Sequence, residues 1–442
     1  MLVVAVAIAV PVAVAAVGLA EVDDFAGPVT GEGRATRSET VDGSESDAVS
    51  FSFASTSLAT NQRLVSDMAY RVDGSAAAVR DFTVPMTALR RGAADVQVMS
   101  GGWAVPMAVT ALPVAVADRV MSSEVARGLA RRGTVVMGRT SAQLRGARVG
   151  DVLTVGTATK STATLTIGAI APDTITSGSE LVVSLETASM LGANDITMML
   201  LWGFPSRDRV LAELQTSGVL ARSDIKVRRS WDPPDPDSTM GLMATKAAFG
   251  EFAYLDTGGE YLTVEESWKA AHLPCGPVKT CRELIGPSLG INARCHNAAR
   301  AALSGALEEA YALGLAAAID VNDTNKWGGC YVPRFIRGAG ALGSISRHTW
   351  GQAFDINPTA NCVGCVPVLD CAVVRVFRKW GFAWGGNFRR NDGMHFEYMG
   401  PERRDTWSYP SKYCPNDVRV PGSVGESDRG FELFADAGIA DH

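Results

Sequence analysis

The distribution of cysteine constrains the fold of this chain more than any other feature of its sequence. All eight cysteines lie between Cys275 and Cys414 of a chain of 442 residues. An even number of cysteines confined to one region is typical of a disulfide-bonded domain outside the cytoplasm. The segment Cys362-Val363-Gly364-Cys365 could instead hold a metal, but no second CxxC or histidine pair follows it. We therefore predict disulfides, and the sequence does not select their pairing.

The N-terminal segment indicates the same compartment. Residues 1–20 are apolar and uncharged, and a helix of this length can span a bilayer. The small residues Gly18 and Ala20 also suit cleavage of a signal peptide. We favour a retained membrane anchor, but both interpretations place the remainder of the chain outside the cytoplasm. Residues 21–50 are polar and acidic, which indicates a flexible linker.

Length predicts two folded domains, and the helix and strand patterns along the chain indicate a mixed α+β class. Hydrophobic residues make up 47% of the chain, so both domains can bury a core. A net charge of −6 without a basic patch argues against nucleic acid as a partner. The expected order after the linker is an α+β domain rich in short strands at 51–230, an exposed linker rich in Pro and Asp at 231–247, a second domain at 248–415 and a polar tail at 416–442.

The first domain contains no histidine, no cysteine and no cluster that indicates a catalytic site. Its patterns predict a helix at 123–132 and strands at 150–156, 161–170 and 180–184. With the turn Arg148-Val149-Gly150-Asp151, this arrangement resembles the extracytoplasmic core domain of MacB- and FtsX-type permeases. The resemblance implies a protein-contact or sensing module, whose partner it does not identify. With a single apolar segment, the chain is not expected to be a permease itself.

Three side chains of the second domain are candidate zinc ligands. A catalytic zinc site uses about three protein ligands and leaves one position open for water. His348 and Asp355 are seven residues apart, with Gly351 between them, which suits a tight turn leading into a strand. The alternation of residues 353–357 is typical of a half-buried strand, and His395 is expected on a later strand.

Two further side chains complete a candidate catalytic site. Asp392 lies three residues before His395, where its carboxylate can take a proton from water that zinc has acidified. An arginine is also needed, to hold a substrate carboxylate or the developing oxyanion. The run from Cys330 to Arg337 offers Arg334 and Arg337, and we favour Arg334.

The order and spacing of these residues resemble the M15 family of zinc peptidases. The matching motifs are SxHxxGxAxD from Ser346, GFxWGG from Gly381 and DxxHFE from Asp392, within residues 248–415. This family includes D-Ala-D-Ala carboxypeptidases and dipeptidases, and L-alanyl-D-glutamate endopeptidases that cut bacterial cell walls. The resemblance implies a fold of the hedgehog/DD-peptidase type, in which a small, mostly antiparallel sheet is flanked by helices.

The resemblance also implies roles for individual residues. It implies Zn²⁺ on His348, Asp355 and His395, with Asp392 as the general base and Arg334 on the substrate side. It places Ser346 in the substrate cleft, and we assign Trp384 to substrate binding as well. The segment Trp384-Gly385-Gly386 is most similar to the endopeptidase branch. One residue departs from the family pattern, because Asn387 stands where relatives often have aspartate.

The remaining patterns of the second domain predict its scaffold. Helices are expected at 264–271, 297–315 and 372–379, and strands near Tyr331, Ala353, Phe382 and His395. Cys295-His296 is expected to precede a helix rather than to bind metal.

Two functions follow from the sequence. The first is an exported zinc metallopeptidase that hydrolyses peptide bonds in the stem peptides of peptidoglycan, either as a D-Ala-D-Ala carboxypeptidase or as an L-Ala-D-Glu endopeptidase. The second is a membrane-tethered module that binds the cell wall or regulates other proteins and whose zinc is structural. An open fourth position on the zinc would distinguish the first function from the second, because structural zinc sites are closed.

Overall fold

The computed structural model describes residues 47–54, 59–232, 235–276, 278, 281–320, 327–337, 342–400 and 411–415. The predicted anchor, most of the acidic linker and the polar tail lie outside these residues. No helix in the described ranges has both the length and the apolar character needed to cross a membrane. The first described residues belong to the fold, since Asp47 is buried and ion-paired with Arg207 at 2.7 Å. The predicted linker at 21–50 therefore extends too far.

The N-terminal half is built mainly from strands. Its described strands are β1 (Ala48–Phe53), β2 (Ser75–Arg91), β3 (Ala94–Val98), β4 (Trp103–Leu112), β5 (Thr134–Gly138), β6 (Val152–Gly156), β7 (Thr162–Ala171), β8 (Leu181–Ser184), β9 (Met198–Trp202) and β10 (Ile225–Arg229). Its helices are α1 (Ala59–Arg71), α2 (Val114–Val120), α3 (Ser123–Gly128), α4 (Arg139–Arg145), α5 (Leu185–Leu191) and α6 (Arg207–Thr216).

Six of these strands close into a barrel, with neighbours in the order β2-β6-β7-β5-β8-β4 and back to β2. The length of β2 allows this closure, because its first residues pair with β9 and its later residues pair with β4 and β6. β7 shows the alternation that fills the interior, since Leu165 and Ile167 are buried while Thr164 and Thr166 are exposed. β9, β1 and β10 continue the sheet outside the barrel.

The C-terminal half has shorter strands and longer helices. Its strands are β11 (Tyr254–Asp256), β12 (Leu262–Val264), β13 (Glu283–Gly286), β14 (Ile291–Ala293), β15 (Trp327–Gly328), β16 (Ala353–Ile356), β17 (Phe382–Trp384) and β18 (His395–Tyr398). Its helices are α7 (Leu242–Phe249), α8 (Glu266–His272), α9 (Asn297–Ala312) and α10 (Cys371–Lys379).

A four-stranded antiparallel sheet in the order β15-β16-β18-β17 forms the centre of this half, and we call it the C-terminal sheet. One core joins it to α9 and α10, whose apolar faces include Leu303, Leu307, Val373 and Phe377. His296 begins α9 by accepting the N–H of Ala298 on its Nδ1 at 3.0 Å. This confirms that Cys295-His296 precedes a helix, and the sheet with its flanking helices is the α+β arrangement expected for this part of the chain.

The two halves share strands and core. β11 pairs with β4 and extends the N-terminal sheet, although residues 254–264 were predicted to belong to the second domain. A single apolar cluster joins Ala104 of β4 to Phe252 and Trp350. Buried Lys246 of α7 forms an ion pair with buried Glu180 at 2.9 Å. The expectation of two domains with boundaries at 231–247 stays a prediction, and these contacts show how closely the two parts are joined.

Most of the described residues in the predicted linker at 231–247 are buried or half-buried. Asp235 and Asp237 are 3% and 1% accessible, because each carboxylate is paired with basic side chains. Lys226 and Arg228 on β10 lie 3.2 and 3.3 Å from Asp235. A stretch rich in Pro and Asp is therefore part of the core, and its predicted exposure was wrong.

Predicted elements agree closely with observed ones where the local pattern was strong. The strands expected at 150–156, 161–170 and 180–184 correspond to β6, β7 and β8. The helices expected in the second domain correspond to α8, α9 and α10, each within a few residues. α3 is shorter than expected and ends at Gly128. This glycine packs so closely against β5 that an added Cβ would lie 2.6 Å from a side-chain carbon of Val136. No strand forms at Tyr331, whose neighbours Arg334 and Phe335 make isolated bridges instead.

Candidate metal centre

The turn that carries His348 is fixed by its own side chains. Residues Arg347–Trp350 form one turn of 3₁₀-helix, and the hydroxyl of Ser346 caps it by accepting the N–H of His348 at 3.2 Å. Gly351 follows with φ 68°, and an added Cβ there would lie 2.9 Å from the backbone nitrogen of His296. The glycine thus lets the chain turn directly into β16.

The C-terminal sheet brings the other two ligands together. Asp355 on β16 is directly opposite His395 on β18 in the antiparallel register. Residues that face each other in such a ladder project to the same side of the sheet. This pairing explains how side chains 40 residues apart in the sequence meet at one point.

His348, Asp355 and His395 form a compact buried group, which we call the metal cluster. Its possible ligand atoms all lie within 4.8 Å of one another. Asp355 Oδ2 is 3.3 Å from His348 Nε2, and Asp355 Oδ1 is 3.0 Å from His395 Nδ1. The three residues are 2%, 6% and 0% exposed. These are the three residues that the sequence motifs predict as zinc ligands.

The charge state of Asp355 follows from its surroundings. Burial opposes ionisation of this carboxyl, but the charges and hydrogen bonds of His348 and His395 outweigh it. The pKa of Asp355 therefore lies well below its usual range. The carboxylate is ionised at neutral pH, as a metal ligand must be.

A second layer of contacts orients both imidazoles. His348 Nδ1 lies 3.1 Å from the backbone oxygen of Cys330, and His395 Nε2 lies 3.1 Å from Glu397 Oε1. Each of these acceptors favours a proton on the nitrogen it faces, which directs His348 Nε2 and His395 Nδ1 at Asp355. Two imidazoles and a carboxylate, each imidazole held by an outer acceptor, fit a zinc ion.

The supporting residues of this layer were not predicted from the sequence. Glu397 is 3% exposed, and its other oxygen is 3.8 Å from Nε of Arg347. Arg347 in turn donates from Nη2 to the backbone oxygen of Met240 at 2.8 Å. Glu397 is the last residue of the DxxHFE motif, so the motif contained the signal. The Cys330 oxygen belongs to the backbone, and no side-chain pattern could have indicated it.

Disulfides anchor this layer. The described bonds are Cys275–Cys281, Cys295–Cys330, Cys362–Cys365 and Cys371–Cys414, so the prediction that all eight cysteines are paired is confirmed. Cys295–Cys330 ties the residue that holds His348 to the start of α9. Cys362 and Cys365 are bonded to each other, which confirms disulfide over metal for this CxxC segment.

Asp392 is placed beside the cluster by a tight turn and by Gly385. The N–H of His395 donates to the backbone oxygen of Asp392 at 3.1 Å, and the N–H of Asp392 donates to that of Gly385 at 2.8 Å. A Cβ added to Gly385 would lie 3.1 Å from Cβ of Asp392 and 3.2 Å from Cβ of His395. Gly385 therefore packs directly between the two side chains. The carboxyl of Asp392 is fully buried.

Arg334 is bound to the turn that carries His348. The hydroxyl of Thr349 accepts the N–H of Arg334 and donates to its backbone oxygen, both at 3.1 Å. Arg334 as a whole residue is 4% exposed. Its guanidinium donates from Nη1 to the backbone oxygen of Phe335 at 3.3 Å. The other candidate, Arg337, is more exposed and pairs with Glu260 at 2.7 Å.

Besides Arg334, two residues were expected to contact substrate, Ser346 and Trp384, and both are fully buried. Ser346 uses its hydroxyl to cap the turn of His348, as described above. Trp384 donates from its indole Nε1 to the backbone oxygen of Gly393 at 2.8 Å and belongs to the core beneath the C-terminal sheet. Trp384 therefore packs in the core of this half, and its contact with substrate stays a prediction.

A cavity of about 100 Å³ lies between the barrel and the C-terminal half. Arg347 and Glu397 line one side, while Asp81 and Thr83 of β2 line the other. The hydroxyl of Thr83 lies 3.1 Å from that of Ser344 across this junction. Arg347 and Glu397, which lie behind the metal cluster, therefore face the barrel across this cavity.

Comparisons with known proteins agree with the geometry for a small part of the chain. Residues 339–398 match a family described as D-alanyl-D-alanine carboxypeptidase, one of the M15 peptidases. This match supports an M15 peptidase in a small C-terminal region, and it contains all three residues of the metal cluster. It suggests a peptidase related to peptidoglycan, of a family that depends on zinc.

Other comparisons add little. About 41% of the chain aligns with 88% of the crystal structure of the periplasmic region of MacB from Actinobacillus actinomycetemcomitans, with 12% identity and a TM-score of 0.25. A score this low carries no conclusion, so the likeness of residues 51–230 to permease core domains stays a prediction. No curated protein sequence matches the chain.

Proposed function

We propose that the protein is a zinc-dependent peptidase that hydrolyses peptide bonds in the stem peptides of peptidoglycan. The observation that carries the proposal is the metal cluster, with both imidazoles oriented by outer acceptors, inside the region matched to M15 peptidases. Three protein ligands are the number used by catalytic zinc sites.

The chain's own residues would share the work as follows. Zinc, when bound, supplies a Lewis acid that polarises a carbonyl and acidifies water. Asp392 would act as the general base, since it is a buried carboxylate in the turn whose backbone oxygen accepts the N–H of His395. Arg334 would hold a carboxylate of the substrate, because its backbone is fixed to the turn of His348. Ser346 would keep that turn in place.

The proposal includes two related reactions. The Trp384-Gly385-Gly386 pattern favours cleavage inside the stem peptide, as in L-alanyl-D-glutamate endopeptidases. The family matched at residues 339–398 is described by removal of a terminal D-alanine. The products of the reaction identify which bond is cut.

We also propose that the protein works outside the cytoplasm. The four disulfides support an oxidising compartment. Residues 1–20 would either anchor the chain in the membrane or direct its secretion to the cell wall. Peptidoglycan peptides would then be the partner of the metal centre.

The test is digestion of purified peptidoglycan by the full-length protein, with and without added zinc, with products identified by mass spectrometry. Asp392→Asn should abolish product formation and leave zinc binding in place. Asp370→Asn is the matched control, because Asp370 caps α10 through Ala372 and asparagine caps equally well. We expect wild type and the Asp370→Asn control to release a terminal D-alanine or to cut within the stem. Asp392→Asn should do neither.

A different outcome would favour the second function considered above. If zinc binds tightly and no stem peptide changes, the protein is a wall-binding or regulatory module with a structural zinc. Among the described residues the cluster offers three ligands, whereas structural zinc sites are closed by about four protein ligands, which favours the catalytic function. Product formation that persists in Asp392→Asn would remove Asp392 from the role of base.

A further inference from the structure

The carboxylate of Asp237 has an unusual set of partners for a residue outside the matched region. It is 1% exposed and accepts four hydrogen bonds. Arg378 donates to Oδ1 at 3.0 Å and to Oδ2 at 2.6 Å, in a two-bond pairing. The backbone N–H of Trp384 donates to Oδ1 at 3.0 Å, and the side-chain amide of Asn387 donates to Oδ2 at 2.8 Å.

These donors hold one short segment at both ends. Trp384 and Asn387 are the first and last residues of the segment 384–387, and Asp237 binds both. Gly385 lies between them and receives the N–H of Asp392. Any displacement of the segment would therefore move the surface against which Asp392 and His395 pack.

Asn387 is suited to this partner by its chemistry. Its amide nitrogen donates both to Asp237 and to the backbone oxygen of Tyr413 at 3.0 Å, while its oxygen accepts the N–H of Tyr413 at 2.9 Å. An aspartate at 387 would bring a second carboxylate next to the first and could donate neither bond. The amide at this position, the one departure from the family motif, is thus explained by Asp237.

We propose that Asp237 is a positioning residue for the metal centre: it fixes the segment 384–387 and, through Gly385, the side chains of Asp392 and His395. The proposal rests on the proposed function for its effect on catalysis. It implies that the site is completed by the stretch before the matched family region rather than by residues 339–398 alone.

The test uses the full-length protein with Asp237→Asn and a matched control, Asp151→Asn. Asp151 is 2% exposed and pairs with Arg91 through two hydrogen bonds, as Asp237 pairs with Arg378, and it also accepts a backbone N–H, that of Arg148. Its partners lie in the barrel and not at the segment 384–387. Asp235 is unsuitable as the control, because its Oδ1 accepts the backbone N–H of Asp237 at 2.8 Å. The first measurement is hydrogen exchange of the Trp384 backbone amide, which does not depend on activity. Asp237→Asn should speed this exchange about tenfold through the weakened hydrogen bond, and Asp151→Asn should leave it unchanged.

The second measurement is turnover of the stem peptide. Asp237→Asn should lower kcat by about tenfold or more while KM changes little, because misplacing a catalytic group by about 1 Å can cost about a hundredfold. Equal losses of kcat in the two variants, in proportion to their melting temperatures, would show that Asp237 only stabilises the fold. Unchanged exchange at Trp384 in Asp237→Asn would also overturn the proposal.

A second variant covers the case in which Asp237→Asn does not fold. Asn387→Asp keeps the ion pair of Arg378 and places two carboxylates together, so kcat should fall. The double variant Asp237→Asn with Asn387→Asp restores one carboxylate and one amide and should recover part of that loss. No recovery would contradict the proposal. If wild type cleaves no stem peptide, the proposed function fails, whereas the exchange of the Trp384 amide still decides the role of Asp237.

Discussion

Glu397 allows the arrangement of the metal centre to be tested quantitatively. Its Oε1 lies 3.1 Å from His395 Nε2 and favours a proton there, which leaves His395 Nδ1 to face the cluster. Such outer partners of metal-binding histidines contribute about 10- to 100-fold to metal affinity. Glu397→Gln keeps an oxygen that can accept the same N–H but loses the negative charge. Glu397→Ala loses both.

We therefore expect zinc to bind about tenfold more weakly to Glu397→Gln and about a hundredfold more weakly to Glu397→Ala. These factors correspond to about 1.4 and 2.8 kcal/mol of binding free energy. The assay is competition with a chromophoric chelator at fixed pH. Each measurement is accompanied by a thermal melt, since Glu397 is also near Arg347.

The matched control is Glu309→Gln. Glu309 of α9 accepts hydrogen bonds from Lys379 and from the indole of Trp380, and none of these residues belongs to the metal cluster. It should lose some stability and no zinc affinity. If both Glu397 variants fold and bind zinc as tightly as wild type, Glu397 does not orient His395, and the assignment of Nδ1 as the ligand atom is refuted.

Three further changes have outcomes that the structure specifies. Gly385→Ala would put a Cβ 2.5 Å from the backbone oxygen of Asp392, so kcat should fall by about a hundredfold in a steady-state assay; full activity would contradict this packing. The double change Cys295→Ser and Cys330→Ser removes the disulfide and should lower the melting temperature. It should also weaken zinc binding by about tenfold, because the backbone oxygen of Cys330 orients the His348 imidazole. Unchanged zinc affinity in a chelator competition would count against that role. Burial opposes ionisation of Asp235, but two basic side chains on β10 outweigh this effect and lower the pKa of Asp235 to about 2. The ionised carboxylate therefore stabilises the fold above about pH 4, and this stabilisation is lost as the pH falls towards 2. Urea unfolding between these pH values should show a loss of about 2 kcal/mol that Asp235→Asn abolishes, and an equally steep loss in the variant would exclude this origin.

The metal cluster was predictable because its residues belong to short spaced motifs. His348, Asp355 and His395 are each fixed by local structure, a capped turn and two paired strands. Glu397 lies in the same motif, yet its role depends on which nitrogen of His395 it meets. That orientation is a property of the folded sheet and is not visible in the spacing.

The closure of the barrel could not be predicted from local patterns. β2 runs for 17 residues and pairs with β9, β4, β6 and β3. Its centre contains Pro85, which faces Pro106 of β4 in the register. Proline within a run argues against a central strand, because it cannot donate to the ladder. A prediction from local pattern therefore breaks β2 where the fold continues it.

The stretch 231–247 was misjudged for a different reason. Proline and aspartate are typical of exposed linkers, and composition does not show whether a charge has a partner. Asp235 is neutralised by Lys226 and Arg228 on the neighbouring strand β10, and Asp237 by Arg378, which is 141 residues away in the sequence. Burial of a charge depends on such pairs, which only the folded chain reveals.

These contacts make the predicted domain boundary testable. A chain that begins at residue 248 lacks Asp237 and leaves buried Arg378 without that carboxylate, at a cost of about 3–5 kcal/mol. It also lacks β4, to which β11 pairs, and uncovers the apolar face around Phe249 and Phe252. Each side chain so exposed costs about 1.5–3 kcal/mol.

The sum of these losses is comparable to the whole stability of an ordinary domain, about 5–15 kcal/mol. We therefore expect the chain from residue 248 to lack a cooperative thermal transition and to bind zinc weakly, whereas a chain that begins at residue 47 should retain both. Circular dichroism melts and zinc titrations of the two proteins provide the comparison. A cooperative transition and full zinc affinity in the shorter protein would show that the C-terminal half is an independent domain. In that case the contacts of Asp237, α7 and β11 would serve the joining of the two halves and not the stability of the metal centre.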